Sequence, residues 1–378
     1  MRFIITSAGN NSTFGDVFFR VPTKEEMEMA ETTVSDICYK KAMKLYKSNP
    51  NDFENSAFSR FEKELQKMCE TETAYHFLIL KEIAELSRKE GYPIMTEGNL
   101  SGSVISYLLG ITEYDPFGFN IDNNAIELLW GTAEAVRMPD FSTGIAPQIR
   151  PLINRQLNSK YGYADCDKYT YRQISLTDVD ICETLGRLFR ATGRKPSFND
   201  FNEKIYIKVV RNIADEYIAE FLNLEKAGCV LEEKLPGVLA FAEELKQVTP
   251  CDFKQLLRLY AYQHGSFQQA KSVKKLSDPC FFVTRNEFFH TLTYYNIPAT
   301  VALNVVKKGV WSQGNKRKNY IKILKSYNVP ARICEYFSDV TNLWRSDACI
   351  SRLILKCADA WYQIYFPKEY EKIKNGEL

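Results

Sequence analysis

Apolar side chains recur at helical spacing along most of the chain. The first three faces consist of Val34, Ile37, Cys38, Ala42 and Leu45, then Phe58, Phe61, Leu65 and Met68, then Phe77, Leu80, Ile83 and Ala84. Apolar residues spaced three and four apart predict amphipathic helices that bury one face. Thr23 can cap the first helix, which should begin at Lys24, with acidic residues in its first turn. Residues 1–23 themselves are predicted to be irregular.

Strand-like stretches are few by comparison. Residues 92–96 and 169–176 are β-prone, whereas periodic apolar faces continue through 126–130, 149–161, 181–193 and 198–228. Later helical stretches include 249–267, a helix capped at Thr284, and an aromatic-rich C-terminal helix. The pattern therefore predicts an α+β protein that is mostly helical.

A Gly/Ser-rich turn links the strand at 92–96 to a short helix. Gly98 and Asn99 tolerate positive φ, Ser101 is predicted to cap a helix over 104–109, and Gly110 to end it. Such a turn is either a simple helix cap or an anion site, because free backbone N–H groups and the helix dipole meet there. The local pattern alone leaves both interpretations open.

Composition narrows the function classes. The 378 residues are 45% hydrophobic, 25% charged and 13% aromatic, with a net charge of +2, so no strong overall field selects a nucleic-acid partner. Ten cysteines without a CxxC pair and three histidines predict buried free thiols and no metal site. The N-terminal pattern does not suit a signal peptide, and no apolar run reaches the length of a membrane span, so we expect a cytoplasmic protein without a membrane partner.

One segment is locally basic. Residues 301–330 contain no acidic residue, and Trp311, Tyr320 and Tyr327 are interleaved with the basic residues Lys307, Lys308, Lys316, Arg317, Lys318, Lys322 and Lys325. Basic and aromatic side chains together suit contact with a phosphate backbone, although a solvated loop and helix face has the same composition. These seven residues are the predicted DNA-binding set.

The Gly/Ser turn carries a family resemblance. Gly98, Gly102, Ser103 and the run from Gly110 through Thr112 to Pro116 resemble the palm of the bacterial C-family replicative DNA polymerases, the DNA polymerase III alpha subunits. The resemblance implies a turn that once held the triphosphate of a nucleotide, formed here by Gly98, Asn99, Gly102 and Ser103. Glu97 stands where the family has arginine, which would repel that polyanion.

The residues that perform chemistry in the family are replaced in this chain. The segment beginning Pro139-Asp140-Phe141 resembles the family's metal-binding segment, and its two metal carboxylates fall on Ser142 and Gly144. Two-metal catalysis needs charged oxygen ligands, which serine and glycine do not supply. The resemblance further places an active-site lysine of the family at Val179, and a nucleotide-facing lysine and histidine at Ser346 and Ala348.

The resemblance implies a fold and a domain order. We expect a truncated nucleotidyltransferase-type palm, similar to that of polymerase beta, over residues 1–170, a thumb-like helical region over 171–232 and a fingers-like helical domain over 233–378. The resemblance spans roughly residues 20–180 and 235–375.

Three hypotheses for function follow from the resemblance. The first is a catalytically inactive relative of the alpha subunit that needs no cofactor and binds primer–template or single-stranded DNA, a replication protein, or both. The second is an active polymerase or nucleotidyltransferase whose Mg²⁺ is held by relocated carboxylates such as Asp140, Asp178 and Asp180. The third is a scaffold for protein interactions alone.

Overall fold

The structure is a computed structural model that describes residues 14–46, 57–96, 98–117, 126–132, 135–136, 139–161, 171–226, 235–264, 281–340 and 342–377. Helices dominate these residues and accompany a small sheet, which confirms the predicted α+β, mostly helical fold. The chain forms two compact units. One contains Ser12–Lys195 and Phe366–Leu378, and the other contains Pro196–Tyr365. The palm-like, thumb-like and fingers-like regions remain predictions.

The first unit contains a four-stranded sheet. Its strands lie in the order β1 (Phe14–Arg20), β6 (Tyr171–Asp178), β5 (Ser142–Ile145) and β2 (Met95–Thr96). Strands β1 and β2 run antiparallel to their neighbours, and β5 runs parallel to β6. A separate two-stranded ladder pairs β3 (Gly131–Thr132) with β4 (Ala135–Val136). Strand β5 is therefore an interior strand of the larger sheet.

Strand β1 corrects the prediction that residues 1–23 are irregular. Its seven residues pair along their whole length with β6, from Phe14 opposite Thr177 to Arg20 opposite Tyr171. Phe19 is almost completely buried and makes an edge-on ring contact with His76. The strand forms because a distant strand supplies its hydrogen-bond partners, although Phe14, Val17, Phe18 and Phe19 already give it β-prone residues.

Helices surround the sheet in this unit. They are α1 (Lys24–Tyr46), α2 (Ala57–Glu70), α3 (Ala74–Lys89), α4 (Val104–Leu108), α5 (Ile126–Trp130), α6 (Arg150–Tyr161) and α7 (Asp180–Thr192). Thr23 caps α1 as predicted, because its hydroxyl accepts the Glu26 N–H at 3.2 Å and Glu26 accepts the Thr23 N–H at 2.8 Å. This reciprocal pair is a capping box.

The second unit is helical. It contains α8 (Glu203–Lys226), α9 (Leu235–Lys246), α10 (Phe253–His264), α11 (Arg285–Tyr294), α12 (Ala299–Asn304), α13 (Gly314–Ser326), α14 (Ala331–Asp339) and α15 (Ser346–Tyr365). Helix α8 packs against α9 and α15. The predicted cap at Thr284 is confirmed by a capping box with Glu287. A π-helical turn, Val305–Gly309, follows α12 directly.

The last helix, α16 (Pro367–Lys374), returns to the first unit and packs against α7. Proline at its first position suits the start of a helix. Among the described helices, none combines the length and the apolar character that crossing a membrane requires.

Candidate functional site

The helix after the Gly/Ser turn has a different capping residue from the predicted one. Residues Gly98–Gly102 form a 3₁₀ helix, and Ser103, not Ser101, caps α4 by accepting the Ser106 N–H at 3.3 Å. Ser101 instead donates its hydroxyl proton to the Thr96 carbonyl at 2.7 Å. The 3₁₀ turn occupies Gly98–Gly102, so the α-helix starts two residues later than a helix capped at Ser101 would. Gly110 has φ +75°, which confirms that it ends this helix.

A protein carboxylate already occupies the start of α4. The fully buried Glu64 accepts the Ser103 hydroxyl at 2.7 Å, the Val104 N–H at 3.0 Å and the Ile105 N–H at 3.4 Å. Its other oxygen accepts Arg60 Nε at 2.7 Å. Free amides at a helix start attract anions, so an external anion at these two amides would have to displace Glu64.

Two of the four residues predicted to bind phosphate are therefore closed to solvent. Gly102 and Ser103 are buried, whereas Gly98 and Asn99 lie in the 3₁₀ turn before them. Glu97, which stands at the family's arginine position, lies outside the described residues.

Ser142 and Gly144 lie on the same face of strand β5, because they are two residues apart. Ser142 is opposite Ser175 on β6 and is half-buried. Gly144 is buried between Met95 on β2 and Thr177 on β6. The sheet thus presents side by side the two positions that the resemblance aligns with the family's metal pair, and neither carries a carboxylate.

The Gly144 position is also closed to a larger side chain. A Cβ atom built on Gly144 would lie 2.4 Å from Val179 Cγ2 and 3.1 Å from Met95 Cε. Val179 is held in place because its N–H donates to the Ile145 carbonyl at 2.8 Å and its own carbonyl accepts the Cys182 N–H at 2.9 Å. Carbon atoms pack at about 3.5–4.0 Å, so a carboxylate side chain at position 144 requires the strand or Val179 to move.

The carboxylates named by the second hypothesis are Asp140, Asp178 and Asp180. Asp140 and Asp180 are exposed, and Asp178 is ion-paired with Arg150 at 2.6 Å. Arg150 also donates to the Leu176 carbonyl at 3.0 Å, which fixes the guanidinium against the end of β6. Within the described residues, no three His, Cys, Asp or Glu side chains form a group able to hold a metal ion.

Ser346 and Ala348, which the resemblance aligns with the family's nucleotide-facing lysine and histidine, lie in the second unit at the start of α15. Ser346 is buried, and its N–H donates to Oδ1 of the buried Asn286 on α11 at 3.2 Å. Ala348 lies two residues later in the same first turn and is half-buried. Neither side chain carries the charge of the family's lysine or histidine.

The predicted DNA-binding residues differ in how far solvent can reach them. Lys308, Lys316, Lys318, Lys322 and Lys325 are exposed, and Lys307 is half-buried. Four of the five exposed lysines belong to α13, so one helix carries most of the charge that solvent can reach. The Nζ atom of Lys307 is buried, so only the five exposed lysines present their charge to solvent.

Arg317 differs from its lysine neighbours because it is buried. Its guanidinium donates to the carbonyls of Ser312 at 3.0 Å, Val310 at 2.7 Å and Val340 at 2.7 Å, and also to that of Phe337. Burial lowers the pKa of Arg317, although nearby Asp339 acts in the opposite direction. Four carbonyls use the donors that a phosphate would need, so Arg317 is a structural residue and we remove it from the DNA-binding set.

Sequence reasoning did not identify Glu64 or the packing role of Val179. One feature of the sequence could have identified Glu64. It lies one residue before Leu65 on the buried face of α2 and four residues after Arg60, a possible partner. A carboxylate among apolar face positions requires a buried partner. No sequence pattern indicates the role of Val179, because its contact with Gly144 joins residues far apart in the chain.

Comparison with known proteins identifies relatives of part of the chain. Residues 32–206, slightly under half of the chain, match the bacterial DNA polymerase III alpha NTPase domain. The DNA polymerase III subunit alpha of Rickettsia felis is 30% identical over 115 residues, which are 30% of this chain and 9% of the relative. That of Aquifex aeolicus is 26% identical over 135 residues, which are 34% of this chain and 11% of the relative.

The PolC-type DNA polymerase III of Streptococcus pneumoniae is 30% identical over 90 residues, covering 24% of this chain and 6% of the relative. The matches thus span about a tenth or less of these relatives. They confirm the predicted resemblance to the alpha subunits over the segment that contains the Gly/Ser turn and β5. The resemblance over 235–375 lies beyond this segment and stays a prediction.

Proposed function

We propose that this protein is a catalytically inactive relative of the bacterial DNA polymerase III alpha subunits that binds DNA in a bacterial cytoplasm. Residues 32–206 match the NTPase domain of that family. The observation that carries the proposal is the closed position at Gly144, where Val179 fills the space of a side chain. A replication protein is a further partner that the family relationship suggests.

Loss of catalysis follows from the metal positions. Mg²⁺ prefers carboxylate oxygens, and two-metal phosphoryl transfer needs both ions held beside the reacting groups. Ser142 and Gly144 provide no carboxylate, and Asp178 is engaged by Arg150. A restored aspartate at position 144 would meet Val179 and Met95, so the fold has accommodated the loss of the ligand by packing.

Binding to DNA is supported by the charge distribution of the second unit. Five lysines of the 301–330 segment are exposed, and the segment has no acidic residue to offset them. Neutralising phosphates releases condensed counterions, so binding through these lysines should weaken steeply as salt increases. The overall charge of +2 makes this local cluster, and not a global field, the attractive feature.

Primer extension tests the loss of catalysis. The purified chain is incubated with a labelled primer–template, all four deoxynucleotides, and Mg²⁺ or Mn²⁺, beside a bacterial DNA polymerase III alpha subunit as the positive control. We expect no extension product from this chain. Extension that disappears in the Asp140→Asn/Asp180→Asn variant would refute the proposal and favour the active enzyme with relocated carboxylates.

Fluorescence anisotropy of labelled primer–template across a salt series tests binding. We expect salt-sensitive binding that weakens when Lys316, Lys318 and Lys322 are changed to glutamate. Changing the exposed residues Lys40, Lys41 and Lys44 of α1 to glutamate is the matched control for net charge and should have a smaller effect. Absence of binding at low salt would refute DNA binding and favour the protein-interaction scaffold.

A further inference from the structure

An open groove lies beside the exposed lysines of the second unit. It has a volume of about 620 Å³ and is lined by Lys308, Trp311, Ser312, Gln313, Lys316 and Tyr320. Lys308 comes from the π-helical turn, Lys316 and Tyr320 come from α13, and the loop between these elements provides the rest. Two cations, an aromatic plane and neutral polar groups thus surround one space.

Trp311 is unusually exposed for a tryptophan whose backbone is firmly held. The side chain is 46% exposed, yet the carbonyls on both sides of it, those of Val310 and Ser312, accept hydrogen bonds from buried Arg317. The guanidinium of Arg285 lies 5.8 Å from the Trp311 ring centroid. A large apolar ring is therefore presented to solvent on an anchored loop, which lowers the ordering cost of binding.

The π-helical turn contributes to the shape of the groove. A Cβ atom on Gly309 would lie 3.0 Å from Phe337 Cζ and 3.3 Å from Tyr320 Cγ, so the turn approaches α13 and α14 as closely as a glycine allows. Turns of this kind occur often at functional sites. Lys308 in this turn and Trp311, two residues after its end, both line the groove.

We propose that this groove binds an unpaired nucleotide of single-stranded DNA, with its base stacked on Trp311 and its flanking phosphates at Lys308 and Lys316. The proposal rests on the DNA binding proposed above and specifies the form of the DNA. An exposed aromatic plane beside cations recognises a base whose face is free, and stacking of this kind accepts any base. In a duplex, both faces of each internal base are covered by its neighbours, so the ring would have no partner.

Two oligonucleotides with equal charge separate stacking from phosphate contact. Anisotropy is measured with a labelled dT 12-mer and with an abasic 12-mer that keeps the same number of phosphates. The variants are Trp311→Ala, Trp311→Phe and, as a matched control, Tyr294→Ala, which removes an 81% exposed aromatic ring outside the groove. Thermal denaturation of each variant checks that the fold is retained.

We expect Trp311→Ala to weaken binding of the dT oligonucleotide at least about fivefold and to leave binding of the abasic one unchanged. Trp311→Phe should keep most of the affinity, and Tyr294→Ala should behave like the wild type. Equal weakening for both oligonucleotides, or no weakening for either, would overturn the stacking proposal and leave phosphate binding intact. If the wild type binds neither oligonucleotide nor primer–template at low salt, DNA binding itself fails.

Discussion

Gly144→Ala is the most direct perturbation of the position that the resemblance aligns with a metal carboxylate of the family. The added Cβ would lie 2.4 Å from Val179 Cγ2, more than 1 Å inside normal carbon contact. Met95 Cε lies at 3.1 Å and can move, because the unbranched side chain is flexible, whereas Met95 Cβ at 3.2 Å moves only with the backbone of β2. Val179 is β-branched, which restricts its χ1 angle, so the cost depends mainly on this residue.

The size of the effect follows from packing. Forcing extra atoms into a filled site costs about 1–3 kcal/mol, which sets the expected loss for Gly144→Ala. Val179→Ala removes two methyl groups, at about 0.8 kcal/mol each, and leaves room for the new Cβ. The double variant should therefore lose less stability than the sum of the single changes, with a coupling energy of about 1–2 kcal/mol.

Urea denaturation followed by circular dichroism measures the four stabilities of this cycle, and hydrogen exchange of the β5 and β6 peptides localises the change. Gly237→Ala is the matched control, since a Cβ there meets nothing within 4 Å, and it should be neutral or stabilising by up to about 1 kcal/mol. Strictly additive costs, or a stable Gly144→Ala variant, would refute the conclusion that Val179 closes this position.

Three further changes test individual interactions. Glu64→Ala should lower the free energy of unfolding by about 3–5 kcal/mol in urea titrations, because it leaves the buried guanidinium of Arg60 without its carboxylate; a loss below 1 kcal/mol would contradict this. Arg317→Met should lower the melting temperature while Lys318→Glu leaves it unchanged, because only the first side chain bonds to backbone carbonyls; equal shifts in scanning fluorimetry would count against this assignment. Hydrogen bonds from Arg20 and the Thr23 backbone lower the pKa of Glu26 from 4.5 to about 2, so its stabilisation is present above pH 4.5 and is lost as pH falls through 2. The difference in urea midpoint between wild type and Glu26→Gln should shrink over that range, and a constant difference would contradict the linkage.

Most helices could be predicted because their signals are local. The buried residues Val34, Cys38 and Ala42 of α1 repeat at helical spacing, and the caps at Thr23 and Thr284 each lie within three residues of their partners. Short-range hydrogen bonds and one-sided burial act on neighbouring residues, so pattern alone reveals them.

Predictions failed where a distant partner decides the outcome. Strand β1 needs β6 for its hydrogen bonds, and the 3₁₀ turn before α4 changes the capping residue from Ser101 to Ser103. Arg317 resembles its lysine neighbours in the sequence, but carbonyls as far along the chain as Phe337 and Val340 surround it. The sequence of a basic segment does not indicate which of its lysines or arginines is buried.

Position 144, which the resemblance aligns with a metal carboxylate, shows most clearly what the sequence and the tertiary structure each determine. Residue identities alone establish that Ser142 and Gly144 carry no carboxylate, because the chemistry of a side chain does not depend on the fold. Only the tertiary structure decides that position 144 has no room for one. The residue that fills it, Val179, lies 35 positions away and is brought there by the parallel pairing of β5 with β6.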